Sequence, residues 1–475
     1  MFGAFLPLTL VFASSAFAQI ESSRAELPPA PSTQRQSAAL AAEAAAPPQR
    51  QQSPQPPLQS PAQATPKGTP LPASRPVPGV KQVTLDQAIE LALANNPNLK
   101  ATRKQVDQSV AQEITANLRP NPVLSGDSQF LPIFNPSQFT TDTLNALTQF
   151  DVGVGYLFER GRKRQNRLQA ARDATTVTRL QALDAERTLA FNVAQQFVNA
   201  LLAKSNLAFA TEDLNSFQQT VNISEERYKL GDISEGDFLK IKLQLLQFQT
   251  DVAQARVAKA QALINLRQLT GYDSVPRGYD VAGDLEYLPL TARLEDLQAK
   301  ALEQRADLRA ARQGITAAQS QVSLARANAK QDLTLSTNFS HVSGSSSSSW
   351  FFNIPLPVFN RNQGEISRTR FAVDQSQFAA TSAEGGVIAD VSNAWESASS
   401  NEDIVKLYTS GYVSQAQESR DISNYAYKAG AATLLDLLDA ERSYRATQLA
   451  YRLALSAYMI SMEQLKQAVG TRSLP

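Results

Sequence analysis

Apolar and polar positions along the chain follow two alternating periods. Residues 162–230 hold neither glycine nor proline; as one helix this run extends roughly 100 Å at about 1.5 Å per residue. Past a short break, Phe238, Ile241, Leu245, Phe248 and Val252 recur at spacings of three and four, which is the seam of a coiled coil. A second proline-free run follows Pro357 and lasts until Pro475. Both regions are rich in Ala and Gln with a narrow apolar stripe, so they predict helices lined up side by side with the other face wet. Ahead of each region the period drops to two. "FDVGVGYLF" places Phe150, Val152, Val154, Tyr156 and Phe158 on one face, and "DLTLSTNFSHV" does the same for Leu333, Leu335 and Phe339. This is the signature of strands with one apolar side. Strands are predicted at 123–131, 150–158, 332–342 and 350–356, with a long loop inside the first pair and the tight "SGSSSSS" inside the second.

The pattern occurs twice. "TLDQAIELALANNPNLK" from Thr84 aligns with "RLEDLQAKALEQRADLR" from Arg293, pairing Leu85 with Leu294, Leu93 with Leu302 and Leu99 with Leu308. Further on, Tyr228 pairs with Tyr427, Gly231 with Gly430, Asp237 with Asp436 and Gly271 with Gly470. The first repeat covers about 83–272 and the second about 292–471, within a folded region of 81–475. Four short strands can neither close a barrel nor cover both sheet edges. Several copies together can, so the pattern predicts a shared transmembrane β-barrel from which the helices hang as a tube. A soluble coiled-coil hairpin protein with incidental strands is the alternative.

Composition narrows the choice. Lys and Arg number 45 against 44 Asp and Glu, so there is no broad basic surface for nucleic acid. The absence of cysteine excludes disulfides and thiol chemistry, and removes the acceptor of a lipoprotein anchor. A single histidine, His341, argues against a histidine metal centre and reads as a barrel or loop residue. Residues 1–18, "MFGAFLPLTLVFASSAFA", read as a secretory signal cut after Ala18; they lack a positive n-region, which leaves the true start open. Residues 19–80 are Pro, Ala, Gln and Ser, predicting a disordered or polyproline tether. No apolar run is long enough for a membrane-spanning helix. No nucleophile–base set, phosphate loop or metal-ligand spacing points to an enzyme or a cofactor.

The duplicated helix–strand–strand–helix–helix unit, the breaks "RYKLGDISEGDFL" and "YAYKAGAATLLDLLDAERSY", and "IPLPVFNRNQGEI" from Ile354 together resemble the TolC-like outer membrane efflux proteins. The last string is similar to the strand-to-helix link of the heavy-metal (cobalt-zinc-cadmium type) branch. Pro355 and Pro357 cannot continue a ladder or a helix, and Phe359, Asn360, Arg361, Asn362, Gln363 and Gly364 complete the junction. The resemblance implies an α+β membrane channel. A homotrimer would set four strands per chain into a twelve-stranded barrel in outer membrane lipid, continued by a long periplasmic α-helical barrel. It implies passive conduction, no catalysis, and a periplasmic adaptor and inner-membrane efflux pump as partners. Drugs or secreted proteins as cargo, and a periplasmic adaptor as a different kind of protein, are the alternatives.

The breaks carry the candidate site. Gly231 and Gly430 fit left-handed residues that end a helix, and Ser234 and Thr433 are placed to cap the next; by resemblance these are the tips that meet an adaptor. Asp436 and Asp439 stand three apart on one helix face. In a trimer they would form six carboxylates around the axis, although Asp439 can also simply pair with Arg442 on a solvated face. By resemblance, Asp436 and Asp439 form a constriction, and Tyr427 and Asp237 bond between hairpins to hold it closed. An arginine common in the family just before the acidic pair is replaced by Ala432. Arg160, Arg162, Lys163 and Arg164 follow a strand and fit either a membrane boundary or a solvated helix start.

Overall fold

The computed structural model describes residues 81–474 apart from 132 and 147. The segments 1–18 and 19–80 assigned above lie outside the described residues. In chain order the elements are β1 (Gln82–Val83), α1 (Leu85–Asn95), α2 (Pro97–Asn117), β2 (Val123–Gln129), α3 (Thr141–Ala146), β3 (Gln149–Phe158), α4 (Lys163–Lys229), α5 (Glu235–Thr270), β4 (Asp280–Val281), α6 (Leu294–Gln304), α7 (Ala306–Asn328), β5 (Leu333–Val342), β6 (Ser345–Asn353), α8 (Gln363–Leu407), α9 (Val413–Lys428) and α10 (Leu434–Val469). The uninterrupted α4 matches the run free of glycine and proline.

The second long arm is different. Between α8 and α9 lies a π-helical turn, Tyr408–Tyr412, in which Gly411 adopts φ 139 and ψ −18. Proline counting alone predicts no break here, but a glycine can take this conformation where other residues cannot. Its counterpart in the first repeat, 199 positions earlier, is Glu212, within continuous α4.

Strands β2, β3, β5 and β6 form one antiparallel sheet in that order. Sequence reading places the last strand at 350–356, whereas it spans Ser345–Asn353. The serines belong to the ladder because Ser343 and Gly344, at φ 53 and φ 71, make the whole turn; two successive positive φ values match the twist of a two-residue hairpin. The first strand also stops earlier than expected, at Gln129, and the loop after it contains α3. A small parallel pair, β1 with β4, ties the start of the first repeat to the chain beyond α5.

The sheet is inside out for a water-soluble domain. Phe150, Val152, Val154 and Phe158 are all exposed, and their cross-strand neighbours Phe339 and Leu335 on β5, then Phe352 and Trp350 on β6, share that face and are exposed too. The opposite face buries Asp151 at 5 % exposure. Asn338 Nδ2 donates to it at 3.2 Å, Gln149 Nε2 at 2.7 Å, and Ser340 Oγ also donates.

Three apolar clusters hold the helices. One gathers α1, α4, α10 and the β1–β4 pair around Val193, Phe197, Leu266 and Tyr458; a second joins α6, α8 and the end of α10 around Leu297, Val391 and Leu465. The third, Phe217, Val221, Ile241, Phe248, Tyr427 and Leu437, binds the α4–α5 hairpin to the α9–α10 hairpin. The predicted coiled-coil seam supplies Ile241 and Phe248 to it, with Phe217 stacked on Phe248 at 4.5 Å. Among the described residues no helix is long and apolar enough to cross a membrane.

Candidate functional site

Each hairpin ends in the same local chemistry. At the first tip Gly231 takes φ 82, its N–H donates to Tyr228 O at 3.0 Å, and Asp232 N–H donates to Arg227 O at 2.8 Å. At the second, Gly430 takes φ 76, its N–H donates to Tyr427 O at 3.0 Å, and Ala431 N–H donates to Ala426 O at 2.8 Å. These paired bonds satisfy carbonyls that a helix end leaves free. The next helix is then capped: Ser234 Oγ accepts from Asp237 N–H at 3.0 Å, and Thr433 Oγ1 accepts from Asp436 N–H at 3.3 Å. Asp436 closes a capping box by accepting from Thr433 N–H at 3.0 Å and from its hydroxyl at 2.6 Å.

The four residues assigned by resemblance to a constriction are not one cluster within the chain. The Thr433 side chain and backbone hold the exposed Asp436 carboxyl below its usual range. Lys240, at 3.1 Å, and then Ser234 lower Asp237 in the same way, so Asp237 is engaged inside its own tip. Asp439 faces Arg442 at 3.3 Å, both exposed. Only Tyr427 bridges the hairpins: it is buried, its hydroxyl lies 3.2 Å from Ser224 Oγ on α4, and its carbonyl accepts from Arg227 Nη1 at 2.9 Å. The Arg227 guanidinium also sits 5.3 Å from the centre of its ring.

The strand–helix junction is a chain of side-chain caps. Asn362 takes φ 61 as the residue before α8, and its Nδ2 donates to Ala325 O on α7 at 2.8 Å. Asn360 Oδ1 accepts from Asn362 N–H at 2.9 Å, and Gln363 Oε1 accepts from Arg361 N–H at 2.8 Å. Arg361 Nε and Gln363 Nε2 donate to the carbonyls of Pro357 and Phe359, both at 3.2 Å. Pro355, Pro357 and Phe359 lie exposed in the irregular segment after β6, and Gly364 has open space around it. The first repeat makes the equivalent turn with Arg162 at φ 59. There Asp332 accepts from Arg160 N–H at 2.9 Å and from Lys163 Nζ at 2.6 Å. Arg164 opens α4, and Ala432 belongs to the second tip with its N–H donating to Ala426 O at 3.2 Å. His341, on β5, lies 3.0 Å from Ser346 Oγ, and no acid or histidine group able to hold a metal occurs among the described residues.

Sequence reading passes over a buried charge cluster between the hairpins. Asp213 and Glu441 are 4 % and 6 % exposed. Arg445 lies between Asp213, at 2.8 Å, and Asp251. Desolvation pushes the Asp213 carboxyl up to about 6 and Glu441 up to about 7, the latter raised further by Asp213; the arginines oppose both shifts. The signal was available: Asp213 falls four residues from both Phe209 and Phe217, and Glu441 four from Leu437, so each acid sits on a buried helix stripe.

An exposed apolar sheet face, a polar reverse face and long helical hairpins fit the class of proteins whose strands meet lipid and whose helices stand in water. The chain belongs to the outer membrane efflux protein family, whose model matches residues 88–272 and 297–471. It is therefore a passive channel protein and not an enzyme. It is 24 % identical over 371 residues to the cobalt-zinc-cadmium resistance protein CzcC of Cupriavidus metallidurans, covering 78 % of this chain and 85 % of that protein. Against the cation efflux system protein CusC of Escherichia coli K12 it is 27 % identical over 377 residues, covering 76 % and 80 %. The pyoverdine export outer membrane protein OpmQ of Pseudomonas putida is 26 % identical over 414 residues, covering 81 % and 86 %. A crystal structure of CusC shares the fold at a TM-score of 0.67 and 21 % identity, over 88 % of this chain and 99 % of that one.

Proposed function

We propose that three copies of this chain close a twelve-stranded outer-membrane barrel and form the exit duct of a tripartite efflux system, with heavy-metal cations as cargo. The observation that carries the channel reading is the sheet: an exposed apolar face, a polar reverse face that buries Asp151, and two unpaired edges, β2 and β6. Alternation along the sheet makes β6 antiparallel to β2. A neighbouring copy's β2 can therefore dock on β6 and continue the same ladder, removing the edges. The tips at Gly231 and Gly430 then face away from the membrane, where they would dock a periplasmic adaptor fed by an inner-membrane pump. Asp436 and Asp439 would line the constriction there, with Tyr427 bracing it.

Metal cargo rests on the similarity to CzcC and CusC and on the Pro355–Gly364 junction. The similarity to OpmQ favours a second reading, the same duct carrying pyoverdine or a drug. A deletion strain decides between them. Loss of tolerance to zinc, cobalt, cadmium or copper supports metal export. Unchanged metal tolerance with lost export of pyoverdine or a drug would overturn it.

A further inference from the structure

The second hairpin has a feature that its repeat partner lacks, a π turn at its upper end, and it packs on the first hairpin through a buried, acid-rich seam below. Gly411 and its neighbours interrupt the arm between α8 and α9, whereas α4 runs straight past the matching position. Single π turns inside long helices recur at functional sites and mark places where the ladder is already loosened. Below that turn, α10 lies between α9 and α4.

The seam gathers Glu212 and Asp213 from α4, Asp251 from α5, Arg420 and Asp421 from α9, and Glu441, Tyr444, Arg445 and Arg452 from α10. Acids outnumber bases, and the bases are already committed. Arg445 pairs with Asp213 and Asp251, with its guanidinium 4.3 Å from the centre of the Phe248 ring. Arg420 contacts Asp421 at 2.7 Å and lies over Tyr444 at 4.3 Å. Arg452 Nη1 donates to Gln448 Oε1 at 2.8 Å, and its guanidinium lies 4.3 Å from the centre of the Phe209 ring. Glu441 is left over: its Oε2 is buried with no hydrogen-bond partner, as is Asn424 Oδ1 on α9. Arg445 Nε approaches Asp213 Oδ2 at 2.8 Å without the alignment of a hydrogen bond, so its charge opposes the burial of Asp213 but does not reverse it.

We propose that Glu441, with Asp213, forms a proton-operated latch that holds the second hairpin against the first when neutral and releases it to bend at the Tyr408–Tyr412 turn when ionised. The proposal rests on the channel reading above and adds its regulation. A neutral carboxyl tolerates this dry seam, whereas a second unpaired negative charge beside Asp213 does not. The sign follows. Glu441 holds its proton more tightly in the packed hairpin than in water, so the closed packing is favoured on the acid side and weakens as pH rises through about 7. With that shift on one site, the open-to-closed ratio rises about tenfold between pH 6 and pH 8.

The test uses the purified protein in detergent or planar bilayers at pH 6 and pH 8. Amide exchange of α9 and α10, expressed as protection relative to the intrinsic rate at each pH, should fall about tenfold in the wild type on going to pH 8. Glu441→Gln, which fixes a neutral side chain of the same shape, should stay protected at both values. Open probability in bilayers should follow the same pattern. The amides of Tyr408–Tyr412 should lose protection together with α9 in the wild type on going to pH 8. A Glu441→Gln protein with the wild-type pH response would overturn the latch, and a wild-type response that leaves exchange at Tyr408–Tyr412 unchanged would overturn the hinge. Absence of conductance at every pH would instead count against the channel reading, while the exchange data still decide the latch.

Discussion

Tyr427 offers a graded test of how the hairpins are held together. It is 3 % exposed and packs with Phe217, Ile241 and Leu437 while its hydroxyl reaches Ser224. Tyr427→Phe removes that bond alone. Ser224 Oγ keeps its 2.8 Å bond to Thr220 O, so the cost is about 1 kcal/mol, the net worth of one buried hydrogen bond. That corresponds to roughly a fivefold rise in the open population of the second tip. Tyr427→Ala also empties the ring's place between the hairpins, and truncation of a buried aromatic costs about 3–5 kcal/mol. The tip should then exchange its amides close to the rate of an unpacked hairpin, while α2 and α7, remote from this cluster, keep wild-type protection. Amide exchange resolved along α9 and α10 measures both. Equal protection in the wild type and both variants would refute the assignment of Tyr427 as the bond between hairpins.

Four further outcomes follow from the tips and turns. Thr433→Ala deletes the acceptor for Asp436 N–H and one donor to its carboxyl, which should lower stability by about 1 kcal/mol in denaturant melts of the helical region. Because hydrogen bonds depress Asp436 and Asp237, their contribution is present at neutral pH and disappears as pH falls through the ordinary carboxylate range. Local exchange at both tips should therefore rise below about pH 4, opposite in sign to the Glu441 effect. Gly231→Ala, at φ 82 with no atom within 4 Å of the added carbon, should cost only left-handed strain, about 1 kcal/mol. Gly161→Ala, whose added carbon would sit 2.7 Å from Lys330 Cγ, should cost more in the same melts. Finally, Asp436→Asn with Asp439→Asn should abolish cation selectivity in planar bilayers; unchanged selectivity would remove these carboxylates from the constriction.

Much of the fold was legible because it repeats simple periods. The uninterrupted 67-residue α4 follows from the missing glycine and proline, and the Ile241–Phe248 seam from its spacing. Alternation located β3 and β5 closely, but it failed on β6, since a serine ladder has no apolar signature and only the paired positive φ values of Ser343 and Gly344 place the turn. The π turn escaped because Gly411 is one glycine in a helical context, where cost alone cannot distinguish a tolerated residue from a bend. At the tips, Ser234 and Thr433 were readable as caps from residue type. The roles of Asp436 and Asp237 as cap partners depend on side-chain geometry that spacing leaves open. Asp213 and Glu441 look like ordinary helix charges until the neighbouring helices bury them.

The central claim is that separate copies share one barrel through β2 and β6. With no native cysteine to interfere, Ser125→Cys on the polar face of β2 can be combined in turn with Ser345→Cys, Ser347→Cys or Ser349→Cys on the polar face of β6. Oxidation in outer membranes, read on a denaturing gel, should give linked dimers and trimers in at least one pairing and no species larger than a trimer. Monomers alone in all three pairings, from membranes that contain the protein, would contradict the shared barrel.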